Sequence, residues 1–247
     1  MANWNDPQPN HSGFGASPSL NGKAIGGVTY DQGLRRHMLS IYNYMASGIL
    51  LSGVVALLFA VSGMAVQVMF TPLRWVIVLA PLGFVMAMSF GVNRMQTSTL
   101  QLLFWLFSVV QGLSLSAIFL IYTGPSIATT FFATAASFAG LSLVGYTTRR
   151  DLSAMGSFMV MGLIGILVAM LINMFLRSSG LALAISILGV LIFAGLTAWD
   201  TQRLKNEYYA VAGTDHAGKA VIMGALQLYL DFINLFLFLL RFMGDRR

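Results

Sequence analysis

A chain of 247 residues with 57% hydrophobic and 9% charged side chains, and a mean hydropathy of +0.78, has too little polar surface to solvate a 26.8 kDa globule. A bilayer must act as its solvent. The net charge of +6 is scattered singly or in pairs between apolar segments and builds no nucleic-acid patch, and zero cysteines exclude disulfides, thiolate metal sites and cysteine catalysis.

Residues 1–37 are rich in Asn, Gly, Ser and Pro, with no apolar run ahead of a cleavage site, which predicts a flexible polar tail in the cytosol. Residues 38–247 then form one all-α polytopic membrane domain, whose first apolar segment serves as an uncleaved signal anchor. Apolar stretches near 40–63, 75–93, 99–122, 126–147, 154–176, 180–200 and 220–241 are each long enough to span a bilayer, so seven transmembrane helices are expected. Linkers as short as Thr123-Gly124-Pro125 make consecutive helices antiparallel neighbours.

With the N-terminus inside, the cytoplasmic side collects Lys23, Arg35, Arg36, Arg94, Arg149, Arg150, Arg203, Lys205 and Lys219, against Arg74, Arg177, Arg241, Arg246 and Arg247 outside. That asymmetry follows the positive-inside rule. Because three of the outer five lie at the extreme C-terminus, a last segment that re-enters and returns to the cytosol is the other topology. His11, His37 and His216 all fall outside the apolar segments, which argues against a histidine-built metal centre within the membrane. Small residues in the fourth and fifth segments (Gly140, Ser142, Gly145, Gly156, Gly162 and Gly165) are read as helix-packing positions. On the third segment Ser108, Gln111 and Ser114 recur at threefold spacing and are candidates to line an interior.

The chemistry concentrates near the C-terminus. Asp231 stands ~16 Å into the last apolar segment at 1.5 Å per residue. Residues 221–240 include 13 Leu, Ile, Val or Phe. These favour insertion by about 0.3–0.6 kcal/mol each, and one central Asp opposes it by roughly 2.5–3.5 kcal/mol. Gln227, Asp231 and Asn234, spaced four and three apart, share one helical face that has to look into the bundle or a water-filled cavity. Two readings fit this acid: an ion or proton site, or a protonated carboxyl bonding helices together. Asp200 closes the apolar run 181–199, on a face with Thr197 and Arg203. From spacing alone it is either functional or a boundary residue paired with Arg203.

Residues 189–202, ending Trp199-Asp200-Thr201-Gln202, and 226–236, containing Leu230-Asp231-Phe232-Ile233, resemble the C-terminal signature of the Bax inhibitor-1 (transmembrane Bax inhibitor motif) family. Residues 145–156, beginning Gly145-Tyr146-Thr147-Thr148-Arg149-Arg150-Asp151, are similar to its bacterial branch. The resemblance covers everything after the tail. It implies a seven-helix fold with the last helix central, a bacterial inner-membrane location, and a calcium leak gated by pH through two apposed aspartates, whose positions Asp200 and Asp231 match. It also implies a basic residue that holds the closed form, for which Arg94, after the second segment, is the candidate.

Two carboxyls within a few ångströms in a dry site do not both ionise cheaply, so the pair is expected to titrate as a unit. A shared proton would bridge the helices, and its loss would favour an open or cation-loaded arrangement. Ca²⁺ takes six to eight oxygens, more than two carboxylates with Gln227 or Asn234 supply, so weak coordination of a transported ion is expected at Asp200 and Asp231, with no resident cofactor. Expected partners are lipid, Ca²⁺ and protons. The alternative is a regulator that binds a membrane protease or damps a stress response. An intramembrane aspartyl protease is the remote reading, since a Gly-x-Gly-Asp element is missing: Asp200 follows Ala198-Trp199 and Asp231 follows Tyr229-Leu230. The chain is accordingly not expected to be an enzyme.

Overall fold

The computed structural model describes residues 32–247. Residues 1–31, most of the expected tail, lie outside the described residues. In chain order the helices are α1 (Gln32–Val61), α2 (Met64–Met69), α3 (Leu73–Gly91), α4 (Thr97–Leu115), α5 (Ile118–Ile121), α6 (Gly124–Thr147), α7 (Ser153–Leu176), α8 (Ser179–Val211) and α9 (Ala217–Met243). Seven spans result: α1, α3, α4 with α5, α6, α7, α8 and α9 are each long and apolar enough to cross a membrane.

Local chemistry sets several of the boundaries. After α1 the chain turns at Gly63, whose φ of 76° suits a residue without Cβ. Thr123 is extended and Pro125 sits in the first turn of α6, where a missing N–H costs nothing. Between α7 and α8 the chain reverses through Arg177, at φ 51°, and Ser178 caps α8 by accepting from Leu181 N.

The last helix occupies the centre. Of the most apolar stretch of α9, 67% is buried inside the protein, against 6% for α7, which therefore presents nearly all its apolar surface to hydrocarbon. Helices α1, α4, α6 and α8 surround α9. Tyr229, Leu228, Leu226 and Leu240 from α9 meet Ile41, Phe104 and Phe107 in the main core. As an unbroken helix of 27 residues, α9 extends ~40 Å, enough to cross rather than re-enter.

Two boundaries differ from the hydropathy reading. The first helix begins at Gln32, so residues 32–37 of the expected tail are helical, with Leu34 and His37 buried. His37 therefore stands within α1, its ring 5.3 Å from that of Tyr208. The second difference matters more: α8 continues eleven residues past Asp200, to Val211. Thr201-Gln202-Arg203-Leu204-Lys205-Asn206-Glu207 ends the hydrophobic run without breaking the helix, because most of these residues are good helix formers.

Among the small residues of α6 and α7, the structure separates two groups. A Cβ on Gly145 would stand 2.1 Å from the Ala198 carbonyl oxygen, and one on Gly156 would stand 2.2 Å from the Trp199 ring. A Cβ on Gly162 would stand 2.8 Å from Ile192 Cδ1, the end of a side chain that can move aside, whereas Gly140 and Gly165 face open space. Close approach to α8 needs Gly145 and Gly156, and packing does not account for Gly140 and Gly165.

Candidate functional site

The antiparallel contact of α8 and α9 is the most extensive in the bundle, and it is where the two acids meet. Asp200 comes from α8 and Asp231 from α9, only 4% and 5% exposed. The extension of α8 removes the difference in depth implied by hydropathy. Asp200 lies ~16 Å from the end of its helix and Asp231 ~21 Å from the start of its own, by helical rise. Their carboxyls are within hydrogen-bond reach of each other, and the Gln227 side chain also reaches Asp200.

Asp200 Oδ1 and Asp231 Oδ2 are buried without a hydrogen-bond donor from the protein. Buried carboxyl oxygens with no donor are costly unless the group is neutral or countercharged. Arg203, one turn further along α8, places Nε 4.0 Å from Asp200 Oδ1. Its Nη2 donates to Gln227 Oε1 on α9, and its guanidinium lies 5.2 Å from the Trp199 ring centroid. About half of the Arg203 side chain is exposed, so the pair is capped on the side where α8 ends and α9 begins. Towards the other side, Phe193 of α8 stacks on Phe238 of α9 with centroids 5.6 Å apart, among buried Leu196 and Leu235.

The residues singled out from sequence separate as follows. Asp200, Asp231, Gln227 and Arg203 converge. Asn234 shares their helix face but turns Nδ2 back to the Leu230 carbonyl oxygen, one turn earlier on α9. Arg94 is exposed in the turn after α3, and the basic side chain at the pair is Arg203. Ser108 is buried but belongs to a different cluster, and Gln111 and Ser114 are half-buried. Among the described residues no group of three or more His, Asp or Glu is placed to hold a metal.

Two polar networks carry no local sequence pattern. Ser52 Oγ of α1 lies 2.6 Å from the phenolic oxygen of Tyr229 of α9 and 2.6 Å from the Ser108 carbonyl oxygen of α4, to which it donates. Ser142 Oγ of α6 joins Tyr42 OH of α1 to Thr201 Oγ1 of α8, the residue after Asp200. Beside it, Gln202 clamps the α6–α7 loop: Oε1 accepts from Leu152 N at 2.8 Å, and Nε2 donates to the Arg150 carbonyl oxygen at 2.7 Å. Thus the 145–156 motif and the 198–202 motif form one packed joint.

Comparison with known proteins identifies the family. The family described as inhibitor of apoptosis-promoting Bax1 matches residues 34–247. An uncharacterised protein of Rickettsia prowazekii is 51% identical, over 89% of this chain and 93% of its own. A Caulobacter vibrioides protein, also uncharacterised, is 46% identical over 89% of this chain and 92% of its own. The inner membrane protein YbhL of Escherichia coli is 45% identical, covering 87% of this chain and 94% of its own. With seven candidate spans of its own, the chain is an integral inner-membrane protein. The family match over residues 34–247, with relatives about half identical over most of both chains, places this chain in the Bax inhibitor family.

Proposed function

We infer that the chain is a slow cation leak, with Ca²⁺ as its cargo, controlled by the protonation of Asp200 and Asp231. The observation that carries this reading is the contact of two buried carboxyls, each with one oxygen denied a protein donor, below the Arg203–Gln227 cap. Two carboxyls in contact are held together by one shared proton. In that state the proton ties α8 to α9, and the Phe193–Phe238 stack keeps the route shut on the far side.

Loss of the shared proton leaves two like charges in a poorly solvated site. Their repulsion favours separation of α8 from α9, or entry of a cation between the oxygens. Gln227 Oε1 is engaged by Arg203, so the pair offers Ca²⁺ fewer than the usual six to eight ligands. Incomplete coordination finished by water suits passage better than storage. The N-terminal side of α1 is cytoplasmic in this reading, which puts the Arg203 cap at the cytoplasmic face.

Calcium flux into proteoliposomes, followed across pH, tests the reading. Wild-type flux should rise with pH as the pair loses its proton. Asp200→Asn and Asp231→Asn, which remove one or the other titrating group, should each flatten that rise. Unchanged flux and pH response in both variants would sink the paired-carboxyl mechanism. Co-purification of a membrane protease, with flux absent from the wild type, would favour a regulatory role.

A further inference from the structure

A cavity of about 910 Å³ lies between α1 and α6, away from the carboxyl pair. Helix α1 packs on α4 and α9, and α6 on α8 and α9, so a furrow is left between them with Phe232 of α9 at its floor. It follows α1 from Leu34 to Leu50, ~24 Å by helical rise. One leaflet's share of a ~30 Å hydrocarbon core is roughly 15 Å, so the furrow reaches past the bilayer midplane. Met38, Met45, Ile49, Phe131 and Phe138 make its walls apolar. The wall hydroxyls of Tyr42 and Ser142 bond to each other instead of projecting into the space.

The mouth has a different character. Arg35, Tyr146 and Tyr209 line the end at which α1 begins and α6 and α8 finish. Lys205 stands beside it, with Nζ donating to the Tyr146 carbonyl oxygen at 2.8 Å and lying 5.8 Å from the Tyr146 ring centroid. No acidic side chain lines the furrow among the described residues. An apolar trough of acyl-chain length, with two aromatic rings and two cations at its membrane-interface end, has the polarity of a phospholipid.

We propose that the α1–α6 furrow binds one anionic phospholipid of the cytoplasmic leaflet, with an acyl chain along Met38–Ile49 and the headgroup phosphate at Arg35 and Lys205. Occupancy would be felt near the carboxyl pair, because the Tyr42–Ser142–Thr201 chain runs from the furrow wall to the residue after Asp200. Binding itself is independent of the leak, so either can fail alone.

Native mass spectrometry of the full chain, stripped of lipid in detergent and titrated with phosphatidylglycerol or phosphatidylcholine bearing 16-carbon chains, tests the proposal. One phosphatidylglycerol per chain should be retained, with a preference over phosphatidylcholine of about fivefold per cation. Ala46→Phe with Ala139→Phe, which fills the furrow from both walls, should lower retention at least about fivefold, the effect of losing roughly one or two buried methylenes of the acyl chain. Val168→Phe, on the exposed face of α7, should not. Arg35→Gln with Lys205→Gln should erase the headgroup preference while leaving chain binding. Helical circular dichroism checks folding, and Ala46→Leu alone is a milder filling variant. Wild-type-like retention by the folded filled variants overturns the proposal, as does equal binding of the two lipids to wild type. A wild-type dimer that the filled variant dissociates would overturn it in favour of a second copy of this chain.

Discussion

Arg203 of α8 donates to Gln227 of α9 across the helix interface, one turn from the point where Asp200 meets Asp231. The guanidinium caps the pair on the side where α8 ends and α9 begins, and in the proposed mechanism its charge favours the pair's ionised form. Arg203→Gln removes the charge, so the pair should keep its shared proton to higher pH. The midpoint of the flux–pH curve should move alkaline. Because Arg203 is half exposed, solvent screening keeps the displacement modest. Arg203→Lys should restore most of it, and a midpoint that stays in place in Arg203→Gln would remove Arg203 from the mechanism.

The approach of α6 to α8 at Gly145 leaves no room for a methyl group, since the obstructing atom is the backbone oxygen of Ala198. Backbone cannot rotate aside, so Gly145→Ala should separate the helices and cost about 1–3 kcal/mol. Gly140→Ala, on the same helix with nothing within 4 Å, should be neutral or stabilise by up to ~1 kcal/mol through helix propensity. Thermal unfolding of the two variants in one detergent makes the comparison. Equal melting temperatures would show that α6 and α8 are not held this closely.

Seven spans were legible because the bilayer demands long apolar runs, and each run became a helix. Asp231 was legible for a related reason: an acid with apolar sequence on both sides has no interface to reach. Asp200 was ambiguous on composition because hydrophobicity ends at Trp199 whereas the helix ends at Val211. Polar residues continue a helix without cost once they emerge from hydrocarbon, so the end of a hydropathy run marks the membrane boundary, not the helix end. Spacing put Asn234 on the same face as Asp231 but could not show that its amide bonds its own backbone. In the sequence Ser142 stands out only as a packing position and Gln202 only as part of the family motif, and Tyr42 has no local pattern at all. Their partners lie 50 or more residues away, and only the packing of α6 and α8 brings them together.

The link between Ser52 and Tyr229 spans 177 positions and ties α1 to the central helix. Ser52 also bonds the carbonyl oxygens of Gly48 and Ser108, so Tyr229→Phe leaves the serine satisfied. The cost should be about 0.5–1.5 kcal/mol. Ser52→Ala instead strands a buried phenol and should cost more, about 1–3 kcal/mol. Chemical or thermal unfolding of both variants checks the order. Reversal of that order would mean that water or another group satisfies Tyr229 when Ser52 is gone.

Asp151 offers a contrast in pH behaviour, because it lies in the loop before α7 and outside the spans. Its Oδ1 accepts from Ser153 N at 2.9 Å and from Ser153 Oγ at 2.6 Å, and these bonds hold the carboxyl below its ordinary value of 3.8. A depressed folded-state value means that the interaction is fully present above the ordinary carboxylate range and is lost only as pH falls through the depressed one. Between pH 5 and 8, then, Asp151 keeps a constant charge. Any pH response of flux in that window has to come from elsewhere, although Asp151 belongs to the same motif as Gly145 and sits near the Gln202 clamp. Asp151→Asn should leave the flux–pH midpoint where it is in wild type, while Asp200→Asn and Asp231→Asn abolish the response. A midpoint displaced by Asp151→Asn as far as by Arg203→Gln would place the pH-sensitive group in the loop instead of between α8 and α9.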